Sequence, residues 1–185
     1  MSDEPVPLFE RPFYYLRHGE TEANRLKTIA GSLDVELNET GRAQARAAIG
    51  RVRPLGITHV TSSDLRRARD TATIVAQALN LPHAVVPGLG ERNWGEFEWK
   101  PQALRIPGSM PAGAESPEQF IARTRAALAQ VEARGIPLVV AHSGTFRVLC
   151  RLLALEEPLQ PIANCSPVHF VPPARPGGLW SVEII

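Results

Sequence analysis

Six short apolar runs punctuate the 185-residue chain: Phe13–Leu16, Thr58–Thr61, Ala84–Val86, Pro137–Ala141, Val168–Val171 and Leu179–Ile185. Each has the length of a strand and is too short for a helix. Between them, apolar residues recur at helical spacing. Ala45, Ala48, Ile49, Val52 and Leu55 form one stripe, with Asn38 placed to cap it. Leu65, Ala68, Ala72, Val75 and Leu79 form a second after Ser63. Phe120, Thr124, Ala127, Leu128 and Val131 form a third, opened by Ser116-Pro117-Glu118-Gln119, a capping box with Pro at the first helical position. Phe146, Leu149, Leu152 and Leu153 follow Ser143 as a fourth. This strand–helix alternation predicts an α/β fold, a three-layer α/β/α sandwich around a mostly parallel central sheet.

Two stretches break the pattern. Residues 1–11 are acidic and Pro-containing, and read as a loose N-terminal leader to a single domain over residues 12–185. Residues 87–117 are rich in Pro and Gly, hold two of the three Trp and show little periodicity. So long a non-repetitive segment inside a compact domain predicts a lid or binding segment.

Composition narrows the function classes. Twenty basic and nineteen acidic residues leave a net charge of +1, which argues against a nucleic-acid partner or a polybasic membrane surface. No apolar run approaches the roughly 18 residues of a membrane span. The two cysteines, Cys150 and Cys165, form neither a disulfide framework nor a metal-ligand pattern, so a reduced, cytoplasmic setting is expected. All the basic residues except Lys27 and Lys100 are Arg. Coding bias is one reading of that excess. Planar, bidentate anion recognition, for which Lys is a poor substitute, is the alternative.

Three apolar runs end in polar clusters just ahead of a helix. They lead into Arg17-His18-Gly19-Glu20-Thr21, into Ser62-Ser63-Asp64-Leu65-Arg66-Arg67, and into His142-Ser143-Gly144-Thr145. Open α/β sheets bind ligands at the carboxyl ends of their strands, so the three clusters should converge on one crevice. Arg forks beside helix N-terminal amides suit a phosphate. A His among Arg charges is disfavoured as imidazolium and stays available as a nucleophile. A second His, or an Arg, can donate to the equatorial oxygens, and a carboxylic acid from the lid can protonate the leaving alkoxide. With no metal or cofactor motif, the positive charge must come from Arg and His. The expected chemistry is metal-free phosphoryl transfer through a phosphohistidine. A Ser-His-Asp hydrolase is disfavoured because no Gly-x-Ser-x-Gly elbow occurs.

The motifs carry a resemblance. Arg17-His18-Gly19-Glu20-Thr21 resembles the signature of the histidine phosphatase superfamily, the phosphoglycerate mutase-like family. The likeness continues through Asn24, Gly31-Ser32-Leu33-Asp34, Leu37-Asn38-Glu39-Thr40-Gly41, Ser62 to Ala68, Leu89-Gly90-Glu91, Gly113-Ala114-Glu115-Ser116, His142 and Asn164-Cys165-Ser166. It implies a phosphoglycerate mutase-like fold in which His18 is the nucleophile. Arg17, Arg67 and His142 would hold the phosphate, Asn24 would add a hydrogen bond, and Glu91 would be general acid and then base. Thr21, Gly31 and Ser143 match positions near phosphate or substrate. The family usually has Gly directly after its second His, where Ser143 stands here with Gly144 next, and often Gly at the position of Trp99.

The core motifs do not separate phosphatase from mutase. A mutase needs extra cations to retain a bisphosphorylated intermediate, and the segment from Glu91 to Ser116 offers only Arg92, Lys100 and Arg105. A phosphatase acting on a small phosphorylated metabolite is therefore the favoured expectation. Mutase-type transfer and a non-catalytic phosphate-binding module are the alternatives. Trp94, Phe97 and Trp99 are placed either to line a pocket for an apolar or ring-bearing alcohol or to fill the lid. The run Leu179–Ile185 offers a sheet edge for a homodimer.

Overall fold

The computed structural model describes residues 7–106, 108–156, 162–175 and 177–185. Six strands form one sheet: β1 (Phe13–Arg17), β2 (His59–Ser62), β3 (His83–Val85), β4 (Pro137–Ala141), β5 (Pro167–Val171) and β6 (Ser181–Ile184). Their order is β3-β2-β4-β1-β5-β6, with β3, β2, β4 and β1 parallel and β5 and β6 added antiparallel. The helices are α1 (Glu22–Arg25), α2 (Glu39–Val52), α3 (Arg66–Leu79), α4 (Pro117–Leu128) and α5 (Ser143–Leu152).

The layers follow from side-chain alternation within single strands. Phe13 and Tyr15 of β1, with Val139 and Ala141 of β4, pack against Leu128 of α4 and Phe146 and Leu149 of α5. Their neighbours Tyr14, Leu16, Leu138 and Val140 face the other way, onto Val52 of α2 and Ala72 and Val75 of α3. A strand buried on both faces must be apolar throughout, and β4 is buried at every position. That is the expected three-layer sandwich.

Local capping matches the sequence at two helices. Asn38 accepts from the Gly41 amide to start α2, and Ser116 and Gln119 form the reciprocal capping box of α4. At α3 it does not. The N-cap is Leu65, with no side-chain cap, and Ser63 turns toward the third cluster instead.

Residues 1–6 lie outside the described residues. Pro7–Glu10 is a tight 3-10 turn whose Leu8 is fully buried in the core, and Phe9 meets Trp180 edge-on at 6.4 Å. Burial of one leucine, worth roughly 1.5–3 kcal/mol, is enough to pin a short turn. At the far side β6 forms an edge, with Leu179 and Ile184 exposed.

Among the described residues ahead of α4, the segment 87–117 carries 3-10 turns at Pro87–Leu89, Gly95–Phe97 and Gln102–Leu104. Backbone bonds tie it to the loop after α1: Ile29 N–H donates to Lys100 O, Trp99 N–H to Ile29 O and Gln102 N–H to Lys27 O. Trp99 takes a left-handed φ of 65°, a conformation that favours glycine, and is half exposed.

Candidate active site

Strand register brings the three polar clusters level. Arg17 pairs with Ala141, and Ser62 with Val140. One step beyond the strands, His18 N–H donates to Ala141 O at 3.0 Å and Ser63 N–H to Val140 O at 3.1 Å. The carboxyl ends of β1, β2 and β4 therefore open into one place. A cavity of about 490 Å³ lies there, lined by Arg17, His18, Asn24, Gly31, Arg67, Glu91 and Ser143 among others.

His18 is almost fully buried and rigidly placed. Asn164 Nδ2 donates to its carbonyl at 2.7 Å, and the Gly19 amide donates to Thr71 Oγ1 at 3.0 Å. Thr71 in turn donates to Arg67 O, so α3 braces the loop. His18 Nδ1 lies 2.7 Å from Gly19 O. A carbonyl only accepts, so Nδ1 carries the proton and Nε2 keeps a free lone pair.

His142 lies with its ring centre 5.2 Å from that of His18 and is wholly buried. Tyr15 holds its carbonyl through a 2.6 Å bond. Its Nε2 is 2.9 Å from Ser63 Oγ, which also accepts the Leu65 amide. The buried Ser63 hydroxyl has no other acceptor among the described residues, so it donates to Nε2. His142 Nδ1 is then the N–H donor.

The two guanidiniums are fixed through their tips. Arg17 Nη1 donates to Ile162 O, while Arg67, only 1% exposed, donates from Nη1 to Leu33 O and from Nη2 to Gly31 O. Arg17 Nε, Arg67 Nε and His142 Nδ1 remain, three of the five buried side-chain polar atoms that lack a partner among the described residues. A buried donor without an acceptor costs roughly 1–3 kcal/mol. Three such donors around one free imidazole nitrogen form a site that an anion would complete.

Charge explains the protonation states. Burial, then Arg67 and Arg17, hold the His18 pKa well below the usual imidazole value, and burial, Arg67, His18, Arg17 and Arg123 do the same for His142. Burial lowers the Arg67 pKa to about 10, which still leaves it charged at neutral pH. Both imidazoles are thus neutral in the fold, whereas an unfolded His takes up a proton near pH 6.5. Unfolding then binds protons below that pH, and stability must fall as pH drops. We expect ligand-free protein to lose about 3 kcal/mol between pH 8 and pH 5.5 from these two residues. Urea unfolding at the two pH values measures it, and an unchanged midpoint contradicts neutral burial.

Glu91 enters from residues 87–117. Its Oε2 accepts the Gly144 amide at 2.8 Å, at the start of α5, and its Oε1 accepts the Arg92 amide at 2.8 Å. A Cβ on Gly144 would lie 2.0 Å from Glu91 Oε1, so the carboxylate occupies the space this glycine leaves open. Glycine is needed here one residue after Ser143. Arg123 of α4 pairs bidentately with Glu115 and donates to the carbonyls of Gly88, Gly90 and Glu91, clamping both ends of the segment.

The remaining expected residues divide. Asn24 and Ser143 line the cavity. Gly31 lines it too, with φ 54° and no room for a Cβ beside Glu98, whose carboxylate accepts from Ser32 and the Trp94 amide. Thr21 does not line the cavity; it caps α1, exchanging bonds with Asn24. Trp94 lines the cavity, whereas Phe97 and Trp99 do not. Sequence reading gave no role to Ser63, Thr71 or Asn164, which orient the histidines. It also passed over Arg147 and Arg151, which line the cavity four and eight residues after Ser143 on one face of α5. Among the described residues, no three His, Cys, Asp or Glu side chains are grouped as metal ligands, and no helix is long and apolar enough to cross a membrane.

Comparisons with known proteins place the chain in a family and a fold. The model of the histidine phosphatase superfamily (branch 1) matches residues 13–170. A probable phosphoglycerate mutase GpmB of Yersinia enterocolitica is 36% identical over 176 residues, spanning 83% of this chain and 81% of that protein. A protein of the same name from Photorhabdus laumondii is 35% identical over 146 residues, spanning 70% of this chain and 68% of that protein. Among solved structures, a mycobacterial glucosyl-3-phosphoglycerate phosphatase complexed with VO3 superposes with a TM-score of 0.79 at 28% identity, over 94% of this chain and 98% of that one.

Proposed function

The chain belongs to the histidine phosphatase superfamily (branch 1), and from that premise we propose that it is a metal-independent phosphatase hydrolysing a small phosphomonoester through a phosphohistidine at His18. The observation that carries the reading is the free Nε2 of His18 among three unpartnered buried N–H donors. The relative solved with VO3, a phosphate-like oxyanion, is named a phosphatase.

In the first step His18 Nε2 attacks phosphorus, the N–P bond forms and the bond to the ester oxygen breaks. The developing charge on the equatorial oxygens falls on Arg17, Arg67 and His142 Nδ1. Glu91 gives its proton to the leaving oxygen. In the second step water attacks phosphorus, Glu91 takes the water proton, and inorganic phosphate leaves as Nε2 regains its lone pair. Asn24 has its Oδ1 occupied by Thr21, which leaves its amide protons for a phosphate oxygen.

Release of inorganic phosphate from an aryl phosphate, with and without EDTA, tests the proposal. EDTA-insensitive release is expected. EDTA-sensitive turnover contradicts the mechanism, and no turnover from pH 5 to 8 favours a binding module. Gly144→Ala provides a geometric check. Its Cβ must push Glu91 aside, and a displacement near 1 Å costs on the order of 10²-fold in rate. We expect that loss in kcat on alkyl phosphates with the fold retained, as read by circular dichroism; unchanged kcat contradicts the placement of Glu91.

Mutase-type transfer is kept as a second reading on one observation. The cavity holds Arg147 and Arg151 in addition to the lid arginines, so the scarcity of cations inferred from the lid does not hold. The curated relatives named above are probable phosphoglycerate mutases. Isomerisation of 3-phosphoglycerate, primed with bisphosphoglycerate, that far outpaces phosphate release would establish this reading.

A further inference from the structure

Of the eight large apolar side chains that stand exposed among the described residues, five fall on two short segments: Leu26 on one, and Trp99, Leu104, Ile106 and Met110 on the other. Backbone bonds join the two. Ile29 N–H donates to Lys100 O, Trp99 N–H to Ile29 O and Gln102 N–H to Lys27 O, around an antiparallel bridge between Thr28 and Pro101. Thr28, Ile29 and Gln102 of this ribbon line the cavity, whereas Leu26, Trp99 and Leu104 do not.

Two residues on the ribbon hold a backbone that disfavours a Cβ. Trp99 has φ at 65° and Lys27 at 54°. Trp99 is also 50% exposed, so half of a large apolar side chain stays in water at a position that glycine would fill without strain. Neither packing nor backbone preference accounts for it, and strain held at an exposed aromatic points to use.

Charge on the ribbon is one-sided. Residues 25–33 and 99–114 contain no Asp or Glu. They do contain Lys27 and Lys100, the two lysines of the chain, both exposed and neither with a carboxylate within 4 Å among the described residues. The flanking acids are engaged. Glu22 pairs with Arg25, Asp34 accepts the Arg66 amide, and Glu96 accepts the Ala112 amide. Glu98 accepts the amides of Ser32 and Trp94, and Glu115 pairs with Arg123. Arginine forks suit partners fixed in place, whereas lysine is a hydrated point charge on a flexible stem and suits anions that move. An exposed indole among aliphatic side chains and flexible cations matches the headgroup level of a bilayer. There the ring bridges apolar and polar layers, and lysine stems lie along apolar surface with their charge in water.

We propose that the outer side of this ribbon docks on an anionic lipid bilayer, with Leu26, Trp99 and Leu104 entering the headgroup layer and Lys27 and Lys100 facing the lipid charges. The net charge of +1 averages over this segregation. Because the ribbon also lines the cavity, docking brings the cavity to the membrane surface. The inference does not depend on the chemistry at His18.

Co-sedimentation with vesicles of phosphatidylcholine, alone or mixed with phosphatidylglycerol, tests it without turnover. Each lysine at an anionic surface is worth about fivefold in binding. The mixed vesicles should therefore bind at least about tenfold tighter, and the preference should fade as added salt screens it. Lys27→Glu with Lys100→Glu should abolish the preference. Arg46→Glu with Arg51→Glu, the same change of charge at exposed positions of α2, should leave it within about threefold. Trp99→Gly should weaken binding to mixed vesicles about tenfold while the thermal midpoint holds or rises. Equal binding to the two vesicles, binding to neither, or a preference that survives the lysine substitutions overturns the proposal. Self-association that Trp99→Gly removes, with no vesicle binding, assigns the ribbon to a second copy of the chain and overturns it as well.

Discussion

His18→Ala is expected to lower kcat by on the order of 10⁴–10⁶-fold while leaving phosphate affinity within about tenfold. The asymmetry follows from how the work is divided. Nε2 of His18 is the lone pair that bonds phosphorus, and no neighbouring group can replace it. His142 has its Nε2 tied to Ser63, and its Nδ1 is a donor. The grip on phosphate comes from Arg17, Arg67 and His142, whose positions depend on Ile162, Leu33, Gly31 and Ser63 and not on the imidazole of His18. Steady-state kinetics with phosphate inhibition reads both quantities. A loss confined to KM would mean that His18 only binds.

Glu91→Gln is expected to slow alkyl phosphates by about 10²–10⁴-fold and aryl phosphates by far less. A phenolate carrying a nitro group leaves without protonation, whereas an alkoxide does not. Glutamine keeps the shape of the side chain and can still accept one of the two amides that hold Glu91, from Gly144 or Arg92. What it loses is the proton. Rates plotted against leaving-group acidity should therefore steepen in the variant. A uniform drop across the series would assign Glu91 to positioning alone.

The legible parts of the molecule were those governed by local rules. Apolar runs such as Pro137–Ala141 marked strands because a strand covered on both faces has no polar side. Asn38 and Ser116 marked helix starts because their side chains reach their own helix. His18, Arg67 and Glu91 stood out through their flanking residues, and the cavity brings them together. Long-range partners were not legible. Ser63 stands just ahead of α3 in the sequence, yet its hydroxyl serves His142, 79 positions away. Thr21 has the look of a site residue, and its hydroxyl instead caps α1. Arg147 and Arg151 read as ordinary polar positions until α5 is docked, since periodicity gives a face but not what faces it. Leu8 joins a core cluster whose other members, such as Leu128, Val168 and Phe170, lie far along the chain.

Rapid quenching of the protein with a ³²P-labelled monoester, followed by peptide mapping, decides whether phosphoryl transfer passes through His18. The expected result is one labelled peptide containing His18, its phosphate lost in acid and kept in alkali, formed within the first turnover and discharged as inorganic phosphate. Acid-stable label on a serine, or steady turnover with no labelled protein at any quench time, would contradict the phosphohistidine mechanism.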